Sequence, residues 1–148
     1  MKRVVVAVDG SDVSRAVMDY AFHYAVREKD AELLFLNVIG GSESRPIFAE
    51  GYAGEITPSE EDRKESVERS VNEALKAYGE VITGISVSVR KGVPYAEIVD
   101  FAKEKNADMI MIGHRGLSNL QRFFLGSVAA QVVAHAPCSV YVHRPKES

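Results

Sequence analysis

Three glycines and a serine near the end of the chain have types and a spacing that suit the binding of an anion. Gly113 and Gly116 follow an apolar run, residues 109–112, and Gly126 and Ser127 precede a second apolar segment. Glycine lets backbone N–H groups approach a phosphate closely because it has no Cβ. A helix N-terminus adds unpaired N–H groups and the positive end of the helix dipole. Residues 113–127 are therefore predicted to hold the phosphates of a nucleotide.

Charged and hydroxyl side chains in this segment support the same prediction. Arg115 can donate two parallel hydrogen bonds to phosphate oxygens, and His114 and Arg122 are further candidate cations. Ser127 is predicted to cap the following helix and to donate its hydroxyl to the same anion. The whole chain of 148 residues is acidic overall, with a formal net charge of −3. A general surface for nucleic acid or for an anionic membrane is therefore not expected.

The sequence lacks the two commonest phosphate-binding motifs. It contains no G-x-x-x-x-G-K-[ST] segment, and the first turn after a strand, residues 9–12, does not fit G-x-G-x-x-G. Asp9 in that turn is interpreted either as a turn or cap residue or as a ligand contact. No nucleophile with a neighbouring base can be recognised in the sequence. The sequence therefore favours a site that binds phosphates over one that cleaves them quickly.

The elements that must position these residues alternate between apolar strands and amphipathic helices. This alternation predicts a single α/β domain over residues 1–148, a three-layer sandwich with a five-stranded parallel sheet and four helices. The predicted strands are residues 4–8, 33–39, 85–90, 108–112 and 139–143, and the predicted helices are residues 14–28, 58–78, a segment starting near Pro94, and 127–135.

The order of the strands decides where a ligand would bind. If the first three strands step outward and the fourth returns beside the first, the order is 3-2-1-4-5. Ligands of open α/β sheets bind at the carboxyl ends of the strands, where the order reverses. Asp9, Val38 and the glycine segment would then lie along one edge of the sheet. Residues 85–90 alternate between apolar and polar, which favours an edge strand for the third strand.

Other parts of the chain carry less information about function. Residues 42–57 are predicted to form a long surface loop near the pocket, less ordered than its surroundings. Cys138 is the single cysteine, so neither an intramolecular disulfide nor a cysteine metal site is expected. His23, His135 and His143 have no metal-ligand spacing. No apolar run approaches the roughly 20 residues of a membrane span, and a cytoplasmic location is expected.

The spacing Gly113-x₂-Gly116-x₉-Gly126-Ser127 resembles the nucleotide loop of the universal stress protein family, in its ATP-binding branch. Further resemblances are spread over nearly the whole chain. They are the opening strand to Asp9 with its Gly10-Ser11 turn, the strand end at residues 36–38, the Gly92-x-Pro94 turn, and the last strand with its Pro137-Cys138 entry.

This resemblance implies a fold, a ligand and an assembly. The family fold is a five-stranded parallel sheet ordered 3-2-1-4-5, Rossmann-like and similar to that of the adenine nucleotide alpha hydrolases. Its members bind ATP or AMP, commonly with Mg²⁺ or Mn²⁺, and typically form homodimers through the last strand, here residues 139–143. Asp9 and Val38 would contact the adenine. The ribose and phosphates would contact Ile112, Gly113, Arg115, Gly116, Gly126, Ser127 and Val128.

The residues by themselves are compatible with three functions. The first is a regulatory, stress-response protein that binds an adenine nucleotide and hydrolyses it slowly at most. The second is a nucleotide hydrolase or an adenylyl-type transferase on the same fold. The third is an interaction module that uses no nucleotide and in which the glycines only shape a loop. A phosphorylated receiver domain is disfavoured, because residues 89–91, at the end of the third strand, contain no aspartate.

Overall fold

The computed structural model of the protein describes residues 2–82, 84–115 and 125–146. This part of the chain folds into a five-stranded parallel sheet with four α-helices and a separate two-stranded hairpin. Short 3₁₀ helices span Gly41–Glu43 and Lys76–Val81. The strands are β1 (Lys2–Ala7), β2 (Ala31–Ile39), β3 (Arg45–Ala49), β4 (Tyr52–Ile56), β5 (Ile85–Lys91), β6 (Met109–Gly113) and β7 (Ser139–His143), and the helices are α1 (Asp12–Arg27), α2 (Glu60–Leu75), α3 (Pro94–Glu104) and α4 (Ser127–His135).

The strand order of the large sheet is β5-β2-β1-β6-β7, and every neighbouring pair is parallel. Since β3 and β4 belong to the hairpin, this is the predicted order 3-2-1-4-5, which is confirmed. β1 lies at the centre and pairs with both β2 and β6. The order therefore reverses between β1 and β6, and β5 occupies an edge of the sheet, as its alternating sequence predicts.

Two hydrophobic cores lie on the two faces of the sheet because successive strand residues point in opposite directions. Val4 and Val6 of β1 pack in one core with the buried stripes of α1 and α2. Val5 and Ala7 pack in the other core with α3 and α4. The buried face of α3 consists of Ile98, Val99, Phe101 and Ala102. This three-layer arrangement fixes the ends of β1, β2 and β6 relative to one another.

The prediction of a long irregular loop at residues 42–57 is wrong. The segment begins with the 3₁₀ turn Gly41–Glu43 and continues as the antiparallel hairpin of β3 and β4, in register from Arg45↔Ile56 to Ala49↔Tyr52. Gly51 in the connecting turn has a φ of +77°, a conformation that glycine adopts without strain. Phe48 and Tyr52 of the hairpin are exposed to solvent. The hairpin therefore does not direct all its large apolar side chains into a hydrophobic core.

Side-chain caps decide where two of the helices begin. The Ser11 hydroxyl accepts a hydrogen bond from Ser14 N–H at 3.0 Å, so α1 starts at Asp12, two residues before the predicted start. Ser59 caps α2 in the same way. The N-cap of α4 is Gly126 and no side chain bonds its first turn. The predicted capping role of Ser127 is therefore wrong, because Ser127 is the first residue inside the helix.

Candidate functional site

A cavity of about 260 Å³ opens at the carboxyl ends of β1, β2 and β6, at the reversal of strand order. We call its wall from β1, β2 and the following 3₁₀ turn the β2 side, and its wall from β6 and α4 the α4 side. The predicted site residues that line it are Asp9, Val38, Ile112, Gly113, Arg115, Gly126, Ser127 and Val128. The remaining predicted residue, Gly116, lies outside the described residues, as does Arg122.

On the β2 side, the sheet stops pairing just where the cavity begins. The ladder between β1 and β2 ends with Val8 N–H donating to the Leu36 carbonyl at 2.9 Å. Backbone groups of a strand alternate between its two sides, so Val38 directs its N–H and its C=O the same way as Leu36. That direction is toward the cavity, which Val38 lines. One donor and one acceptor of the backbone are thus presented side by side.

Asn37 explains why the ladder does not continue by one more bond. In a regular parallel pair, Val38 N–H would donate to the Val8 carbonyl. That carbonyl instead accepts a hydrogen bond from the side-chain amide of Asn37 at 2.7 Å. Asn37 is 3% exposed and also accepts from Arg63 at 2.9 Å. A buried polar side chain with its hydrogen bonds made fixes the ends of β1 and β2 against each other.

Asp9 is both a turn residue and a cavity residue. Its Oδ1 accepts a hydrogen bond from Ser11 N–H at 2.9 Å, which is the local turn expected of aspartate. Its own N–H donates to the hydroxyl of the buried Ser14 at 2.8 Å. These bonds set the direction of the carboxylate at the cavity wall. The two interpretations of Asp9 as a turn residue and as a ligand contact are therefore compatible.

On the α4 side, Gly113 is required by packing. A Cβ at this position would lie 2.5 Å from Val13 Cγ1 of α1, which is closer than side-chain atoms approach. Gly126 is similarly restricted, since its Cβ would lie 3.1 Å from Arg115 Cα. Gly126 N–H donates to the His114 carbonyl at 2.6 Å, and His114 N–H donates to the His143 carbonyl at 2.9 Å. These bonds hold the start of α4 against the ends of β6 and β7.

The first turn of α4 presents to the cavity hydrogen-bond donors that have no partner among the described residues. The helix ladder begins with Ala130 N–H donating to the Gly126 carbonyl at 2.9 Å. The N–H groups of residues 127–129 precede this bond and receive no side-chain cap. Ser127, Val128 and Ala129 all line the cavity. The N-terminus of α4, with the positive end of its dipole, therefore faces the cavity as a site for negative charge.

Arg115 is the cation of this wall. Its Nε is buried and has no hydrogen-bond partner among the described residues, although the side chain lines the cavity. A buried guanidinium N–H without an acceptor is costly unless a ligand supplies one. His114 is placed differently from the sequence prediction. It is buried, its Nδ1 lies 3.3 Å from the His143 carbonyl, and it is not among the residues that line the cavity.

His143 connects this wall to the edge strand β7. Burial lowers the pKa of its imidazole below the usual value, and the nearby His114 lowers this pKa further while Asp19 opposes the shift. Its Nδ1 lies 3.0 Å from the Tyr141 hydroxyl, and the Tyr141 ring stacks on Tyr20 of α1 at 4.4 Å. The neutral imidazole is the favoured form in this environment.

Sequence reasoning missed the residues that complete the β2 side. Ser42 and Glu43 of the 3₁₀ turn line the cavity together with Pro94 and Ile98 of α3. Glu43 forms an ion pair with Arg63 of α2, and its Oε2 accepts a hydrogen bond from Gly40 N–H at 3.2 Å. Asn37 could have been noticed as a polar residue in an apolar strand. Arg63 and Glu43 carry no comparable signal, because α2 contains many charged residues and Glu43 lies in a polar segment.

A larger groove lies beside the cavity, between α1 and α2, with a volume of about 710 Å³. Arg15, Arg63 and Arg69 line the groove but not the cavity. The residues shared by the groove and the cavity are Val8, Asp9, Ser14 and Glu43. The Arg63–Glu43 pair therefore lies at the boundary between the two depressions.

A sequence profile of the universal stress protein family matches residues 1–144. The chain belongs to the universal stress protein family. A universal stress protein of Methanocaldococcus jannaschii is 35% identical over 147 residues, which cover 99% of this chain and 84% of the relative. A putative universal stress protein of Staphylococcus epidermidis is 36% identical over 156 aligned positions, which cover 99% of this chain and 86% of that relative.

The fold agrees with a solved structure of this family. A universal stress protein in complex with cAMP has a TM-score of 0.69 and 26% identity, covering 97% of this chain and 96% of the other. In the part of the present chain that the structure describes, no cluster of three or more His, Cys, Asp or Glu side chains is able to hold a metal ion. None of the helices within residues 2–82, 84–115 and 125–146 is long and apolar enough to cross a membrane.

Proposed function

We propose that this protein binds an adenine nucleotide, ATP or AMP, in the cavity and acts as a regulatory stress-response protein with slow hydrolysis at most. The observation that carries the proposal is the two-sided chemistry of the cavity. Val38 presents a backbone donor and acceptor next to the Asp9 carboxylate, and adenine presents an amino donor beside a ring-nitrogen acceptor. Arg115 and the first turn of α4 face the opposite side, where they suit phosphate.

The related structure with bound cAMP supports this class of ligand. The cavity volume of about 260 Å³ lies just below the usual range of small-molecule sites, which is roughly 300–1,000 Å³. An accompanying Mg²⁺ or Mn²⁺ would take most of its ligands from the triphosphate and from water, because the described residues form no metal cluster. Ser127 is the protein hydroxyl nearest in sequence to the phosphate-side N–H groups.

Slow hydrolysis follows from where the carboxylates of the cavity lie. Asp9 and Glu43 are both on the β2 side, where they receive hydrogen bonds from Ser11 and Arg63. In the proposed orientation this is the adenine side, so neither carboxylate is placed to activate water at a phosphate. The protein would therefore retain its nucleotide and report its occupancy.

The experiment that tests this proposal identifies the ligand directly. Freshly purified protein is denatured, and the small molecules that it releases are identified by mass spectrometry; calorimetry then compares AMP, ATP, adenosine and GMP. We expect adenine nucleotide in the released fraction, tighter binding of AMP and ATP than of GMP, and turnover of ATP close to that in buffer. No heat of binding with any adenine nucleotide, at high protein concentration, would contradict the proposal.

We further propose a homodimer through β7 (Ser139–His143). In the described sheet β7 has a strand neighbour on one side, β6, and an open edge of this kind readily pairs with a second copy. His143 bonds toward β6, so Val142 directs its N–H to the open edge. Val142→Pro should therefore yield a monomer in sedimentation analysis without loss of nucleotide binding, and an unchanged assembly would contradict pairing through β7.

A further inference from the structure

We propose that Arg63 of α2 is a positioning residue for the nucleotide cavity, which neutralises Glu43 and so allows an anionic ligand to share the cavity with that carboxylate. Arg63 lies outside the cavity and Glu43 lies on its wall. The inference rests on the proposed function and deepens it, because it concerns how the same cavity accepts phosphate charge. It assigns a role to a residue that does not touch the nucleotide.

The geometry gives Arg63 two attachments at the carboxyl ends of the strands. Its Nη2 forms an ion pair with Glu43, and its Nη1 donates to Asn37 Oδ1 at 2.9 Å and lies 3.4 Å from Glu43 Oε2. Asn37 in turn donates to the Val8 carbonyl. A guanidinium has a planar set of donors, which is why one side chain can serve both partners. The Arg63 side chain is 22% exposed and that of Glu43 is 32% exposed, so the pair is only partly screened by water.

The position of Glu43 makes this pairing matter for the ligand. Glu43 and Asp9 place two carboxylates on the walls of one cavity. A nucleotide brings further negative charge into the same space, and like charges in a partly enclosed site repel each other. The Arg63 guanidinium supplies positive charge from α2 directly against Glu43. The repulsion that the phosphates meet is therefore reduced, while Glu43 stays fixed by its bond from Gly40 N–H.

This role makes a prediction that a purely structural role does not make. If Arg63 acts through charge, its loss should weaken binding in proportion to the charge of the ligand. If Arg63 only holds the fold together, its loss should weaken the binding of adenosine, AMP and ATP alike. Removing the charge of Glu43 should also cancel the effect of losing Arg63, since the repulsion that Arg63 offsets is then absent.

The test measures the affinities of adenosine, AMP and ATP by calorimetry for the wild type and for Arg63→Gln, which keeps a polar group facing Asn37. We expect less than about a twofold loss for adenosine and about a tenfold loss for ATP at low salt, with AMP between them. The ATP loss should shrink when the salt concentration is raised. In Glu43→Gln/Arg63→Gln, the ratio of ATP to adenosine affinity should return to the wild-type value.

Matched variants separate this effect from a general loss of positive charge or of stability. Arg69→Gln removes a cation from the same helix and the same groove, whereas the ion pair with Glu43 and the bond to Asn37 belong to Arg63. Arg69→Gln should leave the ratio of ATP to adenosine affinity unchanged. Arg63→Lys keeps the charge and should retain most of the ATP affinity. If Arg63→Gln does not fold, Glu43→Gln alone decides, because the inference requires that it favours ATP over adenosine relative to the wild type.

Two results would overturn the inference. An equal loss for adenosine and ATP in Arg63→Gln, or an ATP loss that persists in the double variant, would show that Arg63 does not act through Glu43. In that case the wild type still binds nucleotide and the proposed function stands. If the wild type binds none of the three ligands, both the proposed function and this inference are wrong.

Discussion

The two sides of the cavity differ in how their polar groups are satisfied. On the β2 side, Asp9 accepts from Ser11, Asn37 bonds Val8, and Glu43 pairs with Arg63. On the α4 side, the first turn of the helix has no side-chain cap and Arg115 Nε has no partner among the described residues. The polar side chains of the β2 side thus have their bonds made and hold the Val38 backbone at the cavity, whereas the α4 side keeps several donors that an anion can use.

This difference indicates two tasks within one site. Side chains that already have hydrogen bonds hold Asp9 and the Val38 backbone in fixed positions, where their donors and acceptors can distinguish one base from another. Donors without partners stabilise an incoming anion, because folding has already removed them from water and the anion supplies the missing hydrogen bonds. We therefore expect substitutions of the donors on the α4 side to change phosphate affinity, and substitution of Asp9 on the β2 side to change the recognition of the base, whereas the Arg63–Glu43 pair acts on phosphate through its charge.

The largest effect is expected from Gly113→Ala, because Gly113 is the last residue of β6 and lies in the wall of the α4 side. The added Cβ would lie 2.5 Å from Val13 Cγ1, so the Val13 side chain or the β6 backbone that leads to Arg115 must shift. We expect a loss of stability of about 1–3 kcal/mol, typical of overpacking, and a loss of AMP binding of at least tenfold. Urea unfolding and calorimetry measure the two effects.

Gly41→Ala is the matched control for Gly113→Ala. A Cβ added to Gly41 would meet no atom within 4 Å, apart from its chain neighbours, and Gly41 lies in the turn on the β2 side. This variant should remain close to the wild type in stability and in binding. Equal stability losses in the two variants would contradict the packing argument for Gly113.

The next largest effect is expected from Arg115→Ala. A hydrogen bond to a charged group contributes roughly 1.5–3 kcal/mol, so AMP affinity should fall by about tenfold or more. Adenosine affinity should change little, because adenosine has no phosphate for the guanidinium to bind. Arg15→Ala, in the neighbouring groove and not in the cavity, serves as the control. A similar loss for adenosine and AMP would show that the two sides do not divide the ligand in this way.

A smaller effect, with the opposite ligand pattern, is expected from Asp9→Asn. Asparagine can still accept from Ser11 N–H through its Oδ1, so the turn is retained. One carboxylate oxygen becomes an amino group, which no longer accepts a hydrogen bond from the amino group of adenine. Affinities for adenosine and AMP should fall together, by about three- to tenfold on the scale of one hydrogen bond. A loss confined to AMP would place Asp9 at the phosphate instead.

The smallest effect concerns pH and His143, which supports the α4 side through its carbonyl. Burial lowers the pKa of His143 in the folded protein, so the unfolded chain takes up a proton more readily. Stability from this group is present above the unfolded pKa near 6.5 and falls as the pH drops below it. Thermal unfolding between pH 7.5 and 5.5 should show a modest decline that is reduced in His143→Gln. An equal decline in that variant would exclude His143 as its source.

Much of the fold was predictable because its signals are local. The run at residues 4–8 is apolar throughout, which is typical of a strand buried on both faces, and β1 indeed has helices on both sides. The alternation of strands and helices indicated the parallel sheet, and the alternating β5 indicated its edge. The hairpin was missed, because its pairing depends on the single turn at Gly51 and its apolar residues are exposed.

The candidate site was predictable to a similar extent. Gly113, Arg115 and Ser127 were recognised from spacing, and the structure brings them to one cavity with Asp9 and Val38. The cap of α4 was assigned to Ser127, but Gly126 takes that position and leaves the serine inside the helix. Cap and first-turn residues differ by one position, and only the backbone conformation distinguishes them.

The alternation of strands and helices and the glycine spacing at the strand ends could be read from the amino acids alone, because both follow from periodicity and from residues close together in the chain. The bonds between Arg63, Glu43 and Asn37 emerged only in the folded molecule. Arg63 is 20 residues from Glu43 and 26 residues from Asn37. Contacts over such separations depend on how α2 packs above the ends of the strands, and no local pattern of charge or hydrophobicity encodes that position.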